Sequence, residues 1–285
     1  MYKLTLENEK KHKLIFNQMG SAFTITNIQG LNPPKATINT SASALTDGAR
    51  FNSSKVEMRT ILLAFALEYS AEYNRTVVYD VIKVKRPIRL YYQSTYRDVF
   101  IDGYVESIQI EYFNKKQIAT VSILCPAPYL KGAQEMVNEL SVLVKAFHFP
   151  FASTAEKELV MGYNRAIVNV SLRNDGDVEA GMTIELYAKK AVTNPKLYNY
   201  LTGQYIGLNI EMQVADLITI TTERGHKTVT LLRNGVYFNI FNTVMEGSTW
   251  LQLDIGNTEL VYEVEEGQIS NLLVTVSYHN LYEGV

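Results

Sequence analysis

Residues 117–132, Gln-Ile-Ala-Thr-Val-Ser-Ile-Leu-Cys-Pro-Ala-Pro-Tyr-Leu-Lys-Gly, constrain the fold more than any other part of the chain. The first half alternates, with Ala119, Val121 and Ile123 on one side of an extended backbone, which predicts a strand with one buried face. Pro126 and Pro128 end this strand because proline cannot donate a hydrogen bond to a sheet. The pattern therefore predicts a strand that leaves one β-rich region through a stiff Pro-x-Pro exit and leads to a second.

Composition favours two folded, β-rich domains. The chain has 285 residues, and a typical domain takes roughly 100–200. Hydrophobic residues make up 47% and charged residues 20%, while nineteen Tyr and eleven Phe favour strands. A net charge of −2 argues against nucleic-acid binding as the main activity, which usually needs a basic stripe. There is no signal-peptide pattern and no apolar run of about 18 residues, so we expect folding in a cytoplasm without membrane insertion.

The first 132 residues read as one β-rich unit. Alternation from Gly103 to Tyr112, a short polar loop and the strand described above predict a hairpin. Residues 58–67 are apolar on both sides, which predicts a strand buried on both faces. Asn74 is predicted to cap a short helix that runs to residue 85 and stops before Pro87. Residues 133–144 fit a helix or a strand equally well.

The second half repeats the pattern of short strands. Alternating segments follow one another from residue 166 to residue 278, and Asn234-Gly235 has the signature of a two-residue hairpin turn. Strands spaced by about 8–12 residues predict a β-sandwich. We therefore predict a domain over residues 1–132, a connector over 133–162 and a second domain over 163–285. Three connector aromatics are predicted to contact a neighbouring subunit: Phe147, Phe149 and Phe151.

Catalytic and metal-binding patterns are missing from the sequence. The four histidines have no ligand spacing, and no Gly-rich phosphate loop or nucleophile motif is present. Cys125, the single cysteine, lies on the apolar side of its strand and is predicted to be a core residue. Asp175-Gly176-Asp177 resembles part of a calcium loop, but the other ligands are absent, so a turn is predicted. We expect no catalytic residues, metal or cofactor.

Two features leave other functions open. The acidic cluster Glu263, Glu265 and Glu266 contains paired carboxylates of the kind that hydrolyse glycosides, although it also reads as a charged turn. Trp250 is the single tryptophan and could stack on a sugar, although a lone Trp beside alternating leucines is more often a core residue. A carbohydrate-binding, adhesin-like sandwich is therefore the alternative reading, and a glycoside hydrolase ranks third.

The order of several motifs resembles the distal tail proteins of siphovirus-type bacteriophages. In the first half the motifs are Ile28-Gln29-Gly30-Leu31 before Pro33-Pro34, Asp47-Gly48 before Arg59-Thr60-Ile61, Pro87 with Leu90-Tyr91-Tyr92, Gly103-Tyr104-Val105-Glu106, and Cys125-Pro126-Ala127-Pro128-Tyr129. In the second half they are residues 174–181, Asn194-Pro195, Thr202-Gly203, residues 221–227 and residues 278–285. Each piece alone is weak, and their order along nearly the whole chain carries the resemblance.

The resemblance implies a mainly β protein with two domains and one short helix. It implies an N-terminal β-sandwich-like ring (belt) domain and a C-terminal sandwich of galectin-like or carbohydrate-module-like fold. It also implies a homo-oligomer, typically a hexameric ring, in the virion tail tip. The implied partners are the tail tube protein, the tail-associated fibre or lysin protein and receptor-binding proteins. No inserted carbohydrate-binding module is present, and neither nucleic acid nor membrane is an expected partner.

Overall fold

A computed structural model of the chain describes residues 2–16, 21–42, 47–114, 116–145, 162–166, 170–266 and 268–285. The chain forms two compact units. The N-terminal unit comprises Met1–Gln134 together with Leu281–Val285, and the C-terminal unit comprises Glu135–Asn280. Both units are built mainly from strands, and α1 is the one α-helix within the described ranges, so the predicted mainly-β, two-domain fold class is confirmed.

The described residues of the N-terminal unit form ten strands and the helix. In chain order they are β1 (Lys3–Asn8), β2 (Lys13–Phe16), β3 (Phe23–Gln29), β4 (Ala36–Ala42), β5 (Ala49–Val56), β6 (Arg59–Leu67), α1 (Ala71–Val81), β7 (Pro87–Gln93), β8 (Asp98–Ile110), β9 (Gln117–Cys125) and β10 (Leu130–Glu139), the last of which runs on into the C-terminal unit. All the strand pairs recorded within this unit are antiparallel, including the predicted hairpin of β8 and β9.

The long strand β8 joins two layers of the N-terminal unit. Its first half pairs with β7, which continues to β1 and β2. Its second half pairs with β9, which continues to β6 and β3. The register shifts between Val105 and Ser107, and such bulges bend a strand and increase its twist. One strand therefore serves both layers, and buried side chains from each layer form a single core.

Gly103 permits close packing at the centre of β8. A Cβ atom at this position would lie 2.6 Å from Cγ2 of Ile123 and 2.9 Å from Sγ of Cys125. Any larger residue would push β8 away from β9. Glycine is therefore required here because there is no space for a side chain, and not because the backbone adopts a positive φ.

The helix starts and stops earlier than predicted. It spans Ala71–Val81 instead of residues 74–85, and Asn74 lies buried within its first turn instead of capping it. The Asn74 side-chain amide donates to the Glu68 carbonyl at 2.6 Å. The side chain is therefore bonded to the segment before the helix and does not cap the helix N-terminus. Lys85 has a φ of +67°, a conformation that no α-helix continues.

The strand predicted over residues 58–67 is buried mainly on one face, and the prediction of two buried faces was wrong. Ile61, Leu63 and Phe65 are buried in the core, whereas Thr60 and Leu62 are exposed. The outer face of this strand also carries apolar residues, and a continuous apolar run does not show which side of a strand is covered.

The C-terminal unit is a sandwich of two antiparallel sheets. One sheet is formed by β14 (Met182–Ala188), β19 (Leu217–Thr221), β20 (Thr228–Arg233), β21 (Val236–Asn239) and β23 (Leu272–Tyr282); the other by β13 (Val170–Asn174), β16 (Lys196–Asn199), β17 (Tyr205–Gly207) and β22 (Gly256–Glu263). Shorter pairs are β11 (Ser141–Lys145) with β12 (Gly162–Ala166), and β15 (Val192–Thr193) with β18 (Glu211–Met212). Inward-facing residues of both main sheets form one core, as in other sandwiches.

Candidate functional site

A buried arginine, Arg59, ties three segments of the N-terminal unit together. It begins β6 and is only 4% exposed. Its Nε donates to the Pro128 carbonyl at 2.7 Å, Nη1 to the Gly30 carbonyl at 2.9 Å and Nη2 to the Glu283 carbonyl at 2.5 Å. Burial lowers the pKa of the guanidinium, although an arginine remains charged at neutral pH. The Arg59 side chain therefore holds the fold together and does not present its charge to a ligand.

Neighbouring contacts strengthen this junction. The Arg97 guanidinium lies 4.1 Å from the ring centroid of Tyr282, and the Val285 amide donates to the Leu31 carbonyl at 3.3 Å. The Gly-Leu turn, the Pro-x-Pro exit and the end of the sequence thus meet around Arg59. The family resemblance includes motifs from all three segments, but no sequence pattern indicates that one side chain links them.

Cys125 lies opposite Arg59 in the pairing of β6 with β9 and is fully buried. Burial raises the pKa of its thiol to about 12, and the nearby Arg59 charge offsets only part of that effect. The thiol is therefore protonated at neutral pH, and a protonated thiol is a poor nucleophile. The prediction that Cys125 is a core residue is confirmed.

The hairpin of β4 and β5 is the main uncovered element of the N-terminal unit. All of its strand residues are exposed except Val56, which is half-buried. Cross-strand hydrogen bonds such as Asn39 Nδ2 to Ser53 Oγ at 3.0 Å support one face. A two-stranded hairpin by itself is marginally stable in water. This surface is therefore a candidate for contact with another protein chain.

The acidic cluster of the C-terminal unit is engaged in surface hydrogen bonds. Glu263 accepts a hydrogen bond from the Tyr198 hydroxyl and lies 3.6 Å from Nζ of Lys196. Burial and this hydrogen bond raise the pKa of Tyr198 to about 12. Glu265 accepts from Nδ2 of Asn194 at 2.5 Å. These contacts account for the two carboxylates as strand-end polar groups and give no support to the hydrolase reading.

Trp250 is half-buried, and its ring already has two neighbours. Phe241 stacks on it with centroids 5.4 Å apart and planes 25° apart, and Nζ of Lys227 lies 5.3 Å from its centroid. A sugar that stacked on the indole would compete with both contacts. The structure thus offers no observation that favours the carbohydrate-binding alternative.

The turn at Asn174 is a structural turn rather than part of a cation site. Asn174 is buried, its Oδ1 accepts from the Gly176 amide at 2.9 Å, and its Nδ2 donates to the carbonyls of Val178 and Leu253. This closed set of hydrogen bonds is typical of an Asx turn. Across the described ranges, no group of three or more His, Cys, Asp or Glu side chains is placed to hold a metal ion.

Two further observations concern the predicted partners. Phe147, Phe149 and Phe151 lie outside the described residues, so their role in subunit contact remains a prediction. Among the described segments, no helix has both the length and the apolar character needed to cross a membrane.

Comparison with known proteins gives a family match and a fold match. Residues 175–282 match the family described as the siphovirus-type tail component, C-terminal domain. The fold is similar to that of the Dit protein (gp 19.1) of phage SPP1, described as a paradigm of the hub adsorption apparatus in phages that infect Gram-positive bacteria. That match has a TM-score of 0.67 and 11% identity over 98% of each chain.

The fold is also similar to chains of two structures of the phage P2 baseplate in its activated conformation. The structure with Ca has a TM-score of 0.52 and 12% identity over 100% of this chain and 99% of the other. The structure with Sr has a TM-score of 0.53 and 12% identity over 100% of both chains. None of the curated proteins matches this sequence.

The structural similarities extend over the whole chain, but at these identities they establish fold alone. The family match is independent of them and covers most of the C-terminal unit. Together they confirm the resemblance predicted from the ordered motifs: residues 175–282 match the siphovirus-type tail component family, and the fold of the chain is similar to that of a phage distal tail protein.

Proposed function

We propose that this protein is a structural, non-catalytic component of a phage tail tip, or of the equivalent prophage or tail-like particle. Copies form a closed ring, which we expect to contain six subunits. The ring joins the tail tube to the tail-associated fibre or lysin protein and carries receptor-binding proteins. It is assembled in the cytoplasm of the bacterial host and remains in the virion tail tip.

One observation carries this proposal: the family match over residues 175–282 occurs in a chain whose whole fold is similar to the SPP1 Dit protein over 98% of both chains. A match confined to one domain would leave the function of the other domain open. Because both units are covered, the proposal applies the hub role of that protein to the entire chain.

The physical properties of the chain support a ring. A ring is built from a heterologous interface, in which two different surfaces of one subunit meet. The uncovered hairpin of β4 and β5 offers one such surface. A net charge of −2 suits the wall of a channel through which DNA slides, since cationic side chains would bind its phosphates.

The test is molar mass by light scattering over a concentration series, with negative-stain imaging of the largest species. The expected result is a closed ring with a central hole, formed by the chain alone or on addition of the tail tube protein from the same particle. A chain that stays monomeric at every concentration, with and without that protein, would contradict the ring.

The connector aromatics need a separate test. We propose that Phe147 and Phe149, with Phe151, contribute to contacts between subunits. Alanine substitution of Phe147 and Phe149 together is expected to weaken assembly in the light-scattering series. If the double variant assembles at the same concentrations as the unaltered chain, the connector has no part in the interface.

A further inference from the structure

The strand β21 ends one of the two sheets of the C-terminal unit. The sheet runs from β14 through β19 and β20 to β21, and each strand pairs antiparallel with the next. One side of β21 pairs with β20, and the described residues place no strand along its other side. Such an edge presents a row of main-chain donors and acceptors to which a further strand can be added.

The Asn234-Gly235 turn sets which residues of β21 bond to β20. In a two-residue hairpin the residues that flank the turn, here Arg233 and Val236, exchange main-chain hydrogen bonds. Alternate residues of an antiparallel strand then face the same neighbour. The Ile240 amide fits this pattern, since it donates to the Val229 carbonyl at 3.0 Å. The even-numbered residues of β21 therefore bond to β20.

The odd-numbered residues of β21, Tyr237 and Asn239, consequently direct their main-chain amide and carbonyl groups to the free side of the strand. Within the described ranges, these groups take part in no backbone hydrogen bond outside the ladder with β20. The Asn239 side chain accepts from the Phe241 amide at 3.0 Å, which fixes the end of the strand. The edge is thus held extended, with two donors and two acceptors available.

The side chains of β21 are apolar and exposed. Val236 is 53% exposed, Phe238 47% and Tyr237 74%. Phe238 lies opposite Leu231, which is a buried core residue, so Phe238 and Val236 are on the core face of the sheet and Tyr237 is on its outer face. The side chains of an added strand would therefore pack beside Phe238 and Val236 on one face and beside Tyr237 on the other.

The devices by which proteins protect sheet edges are absent from β21. Its sequence is Val-Tyr-Phe-Asn, without charge or proline, and its pairing with β20 contains no bulge. The other sheet shows such protection at its strand β17, where the Met245 and Thr249 amides donate to the carbonyls of Gly207 and Tyr205 at 2.9 and 2.7 Å. The chain itself covers that strand, whereas β21 is left for another chain.

The occupant that fits this edge is an extended, uncharged segment with alternating side chains. On its other side β21 already has such a neighbour: in β20, Val229 and Leu231 face the core, and Thr228 and Thr230 face outward. A strand added at the edge continues the same two faces, apolar inward and polar outward. It carries no charge against β21, because a charge covered beside an uncharged strand loses its hydration without gaining a counter-charge.

A second copy of the chain fits the edge less well. Two copies of β21 placed side by side pair only four residues each, whereas a stable interface between two folded proteins takes about 20–30 residues a side. A segment that adds as a strand instead obtains its affinity from main-chain hydrogen bonds and a few side-chain contacts. Repetition of the site around a ring increases the overall affinity further.

We propose that β21 is a docking edge, to which an extended, uncharged segment of another tail protein adds as a further antiparallel strand. Tyr237 and Asn239 each exchange two main-chain hydrogen bonds with this segment. The identity of the partner as a tail protein rests on the proposed function, whereas the site is specified by β21 alone.

Methylated peptides test strand addition on the unaltered, full-length chain. The probe is a fluorescent peptide with blocked ends, Thr-Val-Thr-Leu-Thr-Val, patterned on β20. In antiparallel register its second and third threonine amides donate to the carbonyls of Asn239 and Tyr237, and its leucine amide points away from β21. Fluorescence anisotropy is expected to show saturable binding below about 1 mM.

The position of the methyl group decides the outcome. N-methylation of those two threonines is expected to weaken binding at least about tenfold, because two hydrogen bonds are lost. N-methylation of the leucine is the matched control and should change binding by less than about threefold. Absence of binding by the unmethylated peptide, or equal losses from the two methylated peptides, would overturn the docking edge.

Substitution of Tyr237 separates the main chain from the side chain. Tyr237→Pro removes the amide on the free side and keeps the ladder with β20, a place where edge strands tolerate proline. It is expected to weaken binding of the unmethylated peptide at least about fivefold, whereas Tyr237→Ala keeps the amide and should weaken it less. Trp250 fluorescence in denaturant titrations checks that both variants are folded. Equal losses would assign the contact to the Tyr237 side chain and overturn strand addition.

Light scattering separates the docking edge from the ring. Tyr237→Pro is expected to assemble at the same concentrations as the unaltered chain. If it assembles less well, β21 binds a second copy, and the proposed partner is wrong. If the unaltered chain forms rings but does not bind the peptide, only the docking edge is overturned. If it binds the peptide but never assembles, with or without the tail tube protein, the ring is overturned and the docking edge stands.

Discussion

Arg59 is a buried cation whose partners are backbone carbonyls rather than a carboxylate. Each of its three hydrogen bonds reaches a different segment of the N-terminal unit. Hydrogen bonds from a charged donor stabilise more than neutral ones, and removing the donor takes this partner from three part-buried carbonyls. The Arg59 side chain therefore stabilises the N-terminal unit by holding these three segments together.

Arg59→Ala is expected to lower the free energy of unfolding of the N-terminal unit by about 3–5 kcal/mol, since three carbonyls lose their donor. The free energy of unfolding of Arg59→Lys should lie between those of Arg59→Ala and the unaltered chain, because one ammonium group cannot reproduce the several hydrogen bonds of the planar guanidinium. Denaturant titration followed by far-ultraviolet circular dichroism measures the change. Arg89→Ala is the control: its pair with Asp102 is on the surface, and we expect a loss of about 1 kcal/mol or less. A loss that small for Arg59→Ala would contradict the role assigned to it.

Asp216 gives the C-terminal unit a dependence on pH. Its side chain is 2% exposed, and burial alone would raise its pKa. Hydrogen bonds from Arg233 and from the Gln213 amide outweigh burial and lower the pKa below the ordinary value. Because the pKa is lower in the folded state, the stabilisation is present above the unfolded pKa, about 4, and is lost as pH falls through the folded pKa.

Asp216→Asn is therefore expected to destabilise the C-terminal unit at pH 7, by about 2 kcal/mol for a partly exposed partner, and by less at pH 3. Trp250 is the only tryptophan and lies in this unit, so its fluorescence in denaturant titrations reports the change. Asp175→Asn is the control, since it removes an exposed ion pair with Arg173. Its free energy of unfolding should differ little from that of the unaltered chain at either pH. An Asp216→Asn effect that is the same size at both pH values would argue against a charged Asp216 as its source.

Among the connecting elements, the turn at Gly30 shows how tightly β3 approaches β6. Gly30 has a φ of +91°, and a Cβ atom there would lie 2.3 Å from the carbonyl oxygen of Thr60. Gly48, in the turn between β4 and β5, has almost the same φ of +89° but no atom within 4 Å of its Cβ position. The two glycines differ in crowding and not in backbone conformation.

Gly30→Ala is expected to cost more than Gly48→Ala for this reason. The left-handed conformation alone costs about 1 kcal/mol for alanine, which sets the expected effect at Gly48. At Gly30 the clash with the backbone of β6 should add at least about 1–3 kcal/mol, as overpacking does in a core. Denaturant titration of the two variants measures the difference directly. Equal losses would mean that the turn at Gly30 shifts freely away from β6.

The sequence predicted elements whose local pattern and environment agree. The hairpin of β8 and β9 has clear alternation because one face packs on the core, and Asn234-Gly235 forms the turn its residues favour. The hairpin of β4 and β5 was not predicted, because strands exposed on both sides, rich in Ser, Thr and Asn, carry little alternation. The start of α1 was misplaced because Asn74 resembles a cap residue in sequence but is bonded to Glu68 in the fold.

The candidate surfaces were beyond sequence reasoning for a different reason. Arg59, Pro128 and Glu283 are far apart along the chain, and only the fold brings them together. The same holds for Tyr79 and Tyr112, which come from a helix and a hairpin tip. The local sequence pattern predicts helices and strands. A junction or an interface depends on tertiary contacts, which the periodicity of the sequence does not indicate.

At the scale of the whole molecule, the last five residues of the sequence belong to the N-terminal unit, although the residues before them belong to the other. Tyr282 contacts Arg97, Glu283 accepts from Arg59 and Val285 donates to Leu31. By contrast, β23 pairs with β14 only up to Tyr278. The segment after residue 280 therefore belongs structurally to the N-terminal unit, although it follows the C-terminal unit in the sequence.

Deletion of residues 281–285 should accordingly destabilise the unit at the other end of the sequence. We expect a loss of about 2–4 kcal/mol from the N-terminal unit, the sum of one charge-assisted hydrogen bond, a cation–π contact and a backbone hydrogen bond. Trp250 reports the C-terminal unit alone, so its unfolding midpoint should stay unchanged while the circular dichroism transition moves to lower denaturant. Deletion in an Arg59→Ala background should then cost less than deletion alone, because the bond to Glu283 is already absent. A shift of the Trp250 transition as large as that of the dichroism would show instead that the segment supports the C-terminal unit.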